Sequence, residues 1–223
     1  GLPELREAIA SDVATSRNID LHPNQVVVCP GAKPIMFFTI LALAEEGTEV
    51  IYPNPGFPIY ESVIKFSGAT PVPAPLIEEK DFTLDVAQLA DLVTDKTRLI
   101  IINSPQNPTG GIVPAEDLEV IAEVAVKHNI PMLADEIYSR MIYEGEFASI
   151  SAFDGMADKL IILDGFSKTY AMTGWRMGYG VMPEETAQRV ARLMVNSNSC
   201  TAAFTQMAGI AALTGPQDAP AAM

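Results

Sequence analysis

The sequence predicts an α/β fold, a mostly parallel sheet covered by helices on both faces. Three observations carry this. Short apolar runs alternate along the chain with stretches of helical pattern, the order expected of parallel strands joined by helical crossovers. Of the 223 residues, 48% are hydrophobic and 19% charged, enough apolar surface for a sizeable core. The longest apolar run, Ile35 to Ala44, is interrupted by Thr39 and too short to span a bilayer, so it reads as a buried helix.

The elements follow in order. Val26 to Val28 is a β-branched strand. Pro34 to Glu45 is helical in pattern, with Pro34 allowed in the first turn. Glu49 to Tyr52 reads as a strand and Pro58 to Phe66 as a helix. Thr70 to Pro73 is extended but too proline-rich for a central strand, because proline brings no N–H to a ladder. Asp85 starts a helix through Leu92, and Arg98 to Ile102 is a strongly apolar strand. Pro114 to His128 is a long helix with acidic residues in its first turns, where they complement the helix dipole. Pro131 to Ala134, Leu160 to Leu163 and Gly178 to Val181 are strands, and Glu184 to Asn196 is a helix. Ala219 to Met223 is rich in small residues and is expected to fray.

Charge and cysteine usage exclude several functions. A net charge of −14, from 28 acidic and 14 basic residues, argues against nucleic acid and anionic membranes as partners. Any anion site must therefore be built locally from few cations. Cys29 and Cys200 form no disulfide framework and have no metal-ligand spacing, so both are expected to be free thiols in a reducing compartment. His22 and His128 lie far apart without clustered ligands, and no metal site is expected. No secretory signal is visible, which makes a cytoplasmic location the expectation.

Sheets of this class bind ligands beyond the carboxyl ends of their strands. Asn107 follows the strand ending near Ile102, Asp135 ends the strand at Ala134, and Lys168 follows the strand ending at Leu163. The run Asp164-Gly165-Phe166-Ser167-Lys168-Thr169-Tyr170-Ala171-Met172-Thr173-Gly174-Trp175-Arg176 is the most informative. A lone lysine just past a buried strand is costly unless it has a task. The task it suggests is a Schiff base with a carbonyl cofactor. Arg176 offers a bidentate clamp for a phosphate. Pro30-Gly31-Ala32-Lys33-Pro34 joins a strand to a helix, so the N–H groups of Gly31, Ala32 and Lys33 suit an anion. Taken singly, each has a plainer reading. Lys168 is a surface lysine, Asp135 a cap, Tyr138 and Phe57 core aromatics, and Asn107 a turn residue before Pro108.

Four segments in register resemble the class I aminotransferases, the pyridoxal-phosphate enzymes of the aspartate aminotransferase fold. They are the lysine run, Asn103-Ser104-Pro105-Gln106-Asn107-Pro108-Thr109-Gly110, Ala134-Asp135-Glu136-Ile137-Tyr138, and Gly1-Leu2-Pro3-Glu4-Leu5-Arg6-Glu7-Ala8-Ile9-Ala10. The resemblance implies that residues 1–223 are a cofactor-binding large domain of fold type I, incomplete at both ends, with the small domain largely missing. The chain opens without Met and is expected to be a fragment. Lys168 is then the attachment point and moves the substrate proton. Asp135 faces the pyridine nitrogen and keeps it protonated. Tyr138 and Asn107 donate to the phenolic oxygen, and Phe57 stacks on the ring. Gly31, Ala32, Lys33, Ser167 and Arg176 hold the phosphate. A hydroxyl residue common three before the lysine is Gly165 here, one donor fewer.

The implied activity is amino transfer between an amino acid and a 2-oxo acid, in amino acid metabolism and biosynthesis. The run ending at Arg176 favours the aspartate-type branch. The intact protein is expected to be a homodimer, and Asn196 to Thr201 resembles a family loop at the dimer interface. An arginine that grips the substrate carboxylate and a partner-subunit tyrosine fall outside this sequence. Two alternatives stand: a lyase or decarboxylase on the same fold, and a truncated, non-catalytic cofactor-binding chain.

Overall fold

A computed structural model describes residues 1–223. In chain order the elements are α1 (Pro3–Arg17), β1 (Val26–Cys29), α2 (Lys33–Leu43), β2 (Glu49–Asn54), α3 (Ile59–Phe66), β3 (Thr70–Ile77), β4 (Thr83–Leu84), α4 (Val86–Asp91), β5 (Thr97–Asn103), α5 (Ala115–His128), β6 (Met132–Asp135), β7 (Leu160–Gly165), β8 (Gly178–Val181), α6 (Glu184–Val195), α7 (Ala203–Thr214) and α8 (Asp218–Ala222). The strands form one sheet in the order β1-β8-β7-β6-β5-β2-β3-β4. The five central strands β7, β6, β5, β2 and β3 run parallel. β8 lies antiparallel between β1 and β7, and β4 pairs antiparallel with the end of β3. No helix is long and apolar enough to cross a membrane.

Both faces of the sheet are dry. On β5, Ile100 and Ile102 join one apolar cluster, with Leu5 and Ile9 of α1, Leu89 of α4 and Leu118 and Ile121 of α5. Leu99 and Ile101 join the other, with Ile35 and Met36 of α2, Val63 and Ile64 of α3 and Val190 of α6. Alternate side chains of one strand thus feed two cores, which is why the strand reads as continuously apolar. On α1 the buried stripe is Leu5, Ile9, Val13 and Arg17, each four residues from the last. The stripe carries a cation into the interior at its final step.

The predicted elements are present, with boundaries moved by one or two residues. Thr70 to Pro73 becomes the eight-residue β3, next to last in the sheet. Its prolines explain how. The Thr70 N–H donates to Thr48 O of the β2 side at 2.9 Å. Backbone donors alternate in direction along a strand, so Pro71, Pro73 and Pro75 occupy the positions whose N–H would face the open edge. Three features went unforeseen in the sequence: β4, the antiparallel sense of β8, and α7, whose residues are too uniformly apolar or small to show a helical stripe. The segment expected to fray, Ala219 to Met223, overlaps the short helix α8.

The edge prolines suppress strand pairing between molecules. Replacing Pro71, Pro73 and Pro75 together by threonine restores three outward donors, and self-association measured by light scattering should rise while far-UV circular dichroism stays unchanged.

Candidate active site

The site begins with a register. Asn103 at the end of β5 stands opposite Asp135 at the end of β6, and Asp135 opposite Leu163 on β7. Three strands therefore release the chain along one edge of the sheet. The loops that follow carry Asn107, Tyr138 and Lys168. The turn between β1 and α2 and the loop after β2 close the other sides of a cleft of about 310 Å³. Ala32, Lys33, Phe57, Asn107, Asp135, Tyr138, Ser167, Lys168 and Arg176 all line it. Of the residues singled out in the sequence only Gly31 is set back. It lies directly behind Arg176, at φ 87°, and a Cβ there would collide with the guanidinium.

Asp135 is buried at 5% exposure. Tyr60 donates its hydroxyl to Oδ2 at 2.8 Å, and the Ile137 N–H donates to Oδ1 at 3.3 Å. Burial raises the carboxyl to about 6; the two donors pull against that, and the neighbouring Asp164 and Glu136 add to it. No cation of the chain is paired with it. Lys168 Nζ lies 5.4 Å from the centre of the Tyr138 ring, and Lys33 Nζ lies 5.1 Å from that of Phe57. Lys33 thus presents an ammonium as well as a backbone donor. Lys168 and Arg176 take part in none of the protein's ion pairs. Arg176 is anchored from behind, Nη1 donating to Thr173 O at 2.8 Å. The backbone N–H groups of Gly31, Ala32 and Lys33 have no acceptor in the protein and are available to an anion.

Several supporting residues were not read from the sequence. Asn103 is a latch: Nδ2 donates to Asp135 O at 2.9 Å and Pro105 O at 3.1 Å, while Oδ1 accepts the Asn107 N–H at 2.8 Å. Tyr60, fully buried on α3, packs edge-on to Phe57. Its only sequence signal is a phenol within an apolar stripe, since a buried hydroxyl needs a partner. Beneath Asp135 lies an ion cluster. Arg17 Nε donates to Glu136 Oε2 at 2.9 Å and Nη2 to Asp164 Oδ2 at 2.8 Å, and Ser149 donates to Glu136 Oε1 at 2.6 Å. Burial pulls the Arg17 guanidinium down, and Glu136 and Asp164 outweigh it and hold it charged. Gly165, three residues before Lys168, has a steric reason: a Cβ there would come within 2.8 Å of Gly178 Cα on β8.

Comparison with known proteins agrees with this geometry. The family profile for aminotransferase class I and II matches residues 1–222. The chain belongs to this family. It is 40% identical over 215 residues to an aspartate aminotransferase of Pyrococcus abyssi, covering 96% of this chain and 55% of that protein. It is 38% identical to aromatic-amino-acid aminotransferase 2 of Thermococcus litoralis, again over 96% of this chain and 55% of the relative. Among solved structures, the Thermus thermophilus aspartate aminotransferase with maleate superposes at a TM-score of 0.95, with 33% identity, over 100% of this chain and 57% of that one. The chain spans about half the length of the curated relatives it matches. Its fold is the aspartate aminotransferase fold, type I.

Class I aminotransferases use pyridoxal phosphate, and the residues present fit it. The unpaired N–H groups beside Arg176 suit a phosphate. A buried carboxylate without a cation suits a protonated ring nitrogen, and a free lysine faces the same cleft.

Two outcomes follow from these charges. The Asp135 carboxyl titrates above its unfolded value of about 3.9. It therefore stabilises the cofactor-free fold fully below that value, and the contribution is lost as pH rises through about 6. Asp135→Asn should stabilise the cofactor-free chain at neutral pH, by on the order of 2–3 kcal/mol, and flatten the pH dependence of thermal unfolding between pH 4 and 7. Arg17→Met strands two buried carboxylates and should cost about 3–5 kcal/mol in urea unfolding.

Proposed function

We propose that this chain forms most of the cofactor-binding large domain of a pyridoxal-phosphate-dependent aminotransferase, which moves an amino group between an amino acid and a 2-oxo acid. The observation that carries the reading is the convergence of Lys168, buried Asp135 and the unpaired donors around Arg176 on one cleft. The similarity to relatives named for aspartate and aromatic amino acids supports an acidic or aromatic amino acid as amino donor. The intact protein acts as a homodimer in the cytoplasm.

Bound in the cleft, pyridoxal phosphate supplies an electron sink for the substrate's α-carbon. The chain's own residues do the rest. Lys168 Nζ would be the covalent attachment point for the cofactor and, when free, would carry the proton to and from the substrate's α-carbon. Asp135, held by Tyr60 and Ile137, keeps its charge toward the ring nitrogen and so favours the protonated ring. Asn107 and Tyr138 donate at the phenolic oxygen, and Phe57 covers one ring face and excludes water. Arg176, Ser167 and the N–H groups of Gly31, Ala32 and Lys33 hold the phosphate.

The test is the visible absorption of the purified protein after adding pyridoxal phosphate, beside Lys168→Ala. A protonated Schiff-base band should form in the parent and be absent in the variant. An identical spectrum in both would refute the assignment. With the band established, Asp135→Asn should lower turnover by a hundredfold or more, on the order of a lost electrostatic catalytic group.

A further inference from the structure

We infer that Gln106 is a positioning residue that straps together two walls of the cleft, the Asn107 loop and the Phe57 loop. The inference rests on the function proposed above. Gln106 precedes Asn107 directly and is only 6% exposed. Its Nε2 donates to Pro55 O at 2.7 Å, across 51 residues of sequence. The orientation of the amide follows from its partner, because a carbonyl only accepts and the atom facing it must be the nitrogen. Pro55 lies two residues before Phe57. The backbone of Gln106 is held at the same time: its N–H donates to Gly111 O at 2.8 Å, and its carbonyl accepts the Gly110 N–H at 2.8 Å. One side chain therefore joins the loop that carries the donor at the ring edge to the loop that carries the aromatic on the ring face.

The strap is not explained by fold stability. Gln106 Oε1 is buried without a hydrogen-bond partner, an arrangement that costs free energy. Pro55 is exposed, so its carbonyl can turn to water when the strap is removed. A thioether of the same length buries no orphan acceptor and strands no buried partner. Asn103 fixes Asn107 to β6 from below, but it makes no hydrogen bond to the Phe57 loop. Gln106 supplies that second direction.

The experiment compares the parent with Gln106→Met and Gln106→Glu in the complete gene product. Pyridoxal phosphate affinity is read by titrating the visible Schiff-base band. Thermal unfolding is measured without cofactor. Methionine removes the donor. Glutamate keeps the shape and sets a second acceptor against Pro55 O. Both variants should bind the cofactor about three- to tenfold more weakly, the range of one hydrogen bond. The methionine variant should unfold at the parent temperature or above. The pH midpoint of the bound cofactor's visible band should move upward in both, because Asn107 then donates less well to the phenolic oxygen. Parent-like affinity and midpoint in both variants would overturn the strap alone. So would an affinity loss matched by a fall in unfolding temperature, with the midpoint unmoved. A parent that takes up no cofactor overturns the proposed function and the strap with it.

Discussion

The in-register pairing of β5, β6 and β7 is the constraint on which the site depends. Asn103, Asp135 and Leu163 form one row because three parallel strands pair without a slip between them. A slip of one residue would turn Leu99 and Ile101 toward the helices that now receive Ile100 and Ile102, and both cores would have to repack. Burial on both faces thus fixes the row, and the row fixes where the loops start. Asn103 then uses its amide to hold the first of those loops against the second strand end.

The interior at this edge carries an unusual load of charge. Asp135, Glu136 and Asp164 are all buried, and Arg17 pairs with only the last two. The pairing leaves Asp135 with hydrogen bonds but no counter-ion. On the rim, Lys168 and Arg176 are cations without acidic partners. A fold selected for stability alone would pair such groups or remove them. Here the two sets of unpaired charge face one cleft, the pairing that an anionic phosphate and a basic ring nitrogen call for.

Close backbone approach is the second requirement. Gly31 leaves room for the Arg176 guanidinium, and a side chain on Gly178 would run into the backbone at Ala32. β8 lies antiparallel between β1 and β7, so Gly178 sits at the same edge as Gly165 and the β1–α2 turn. The anion-binding turn and the lysine loop are brought together by a strand that makes no polar contact of its own with the site.

The strand–helix alternation, the dry parallel sheet and the placing of Asn107, Asp135 and Lys168 beyond strand ends were legible from local pattern, whereas Phe57 and Tyr138 were reached only through the resemblance to the family. Apolar runs report burial, and a lysine or aspartate beyond such a run reports a strand end. The supporting groups were not legible, because their roles arise between segments far apart in the chain. Arg17 lies 119 residues from Glu136, Tyr60 lies 75 from Asp135, and Gln106 lies 51 from Pro55. Nothing in the local pattern marks an arginine on a helical stripe as buried, or a phenol as the donor to one carboxylate. The antiparallel sense of β8 is equally silent, because a short apolar strand reads the same in either direction. The sequence by itself determined which residues could do chemistry and at which end of the sheet; strand order and long-range hydrogen bonds, which exist only after the chain has packed, decided which of them are held, charged and within reach of one another.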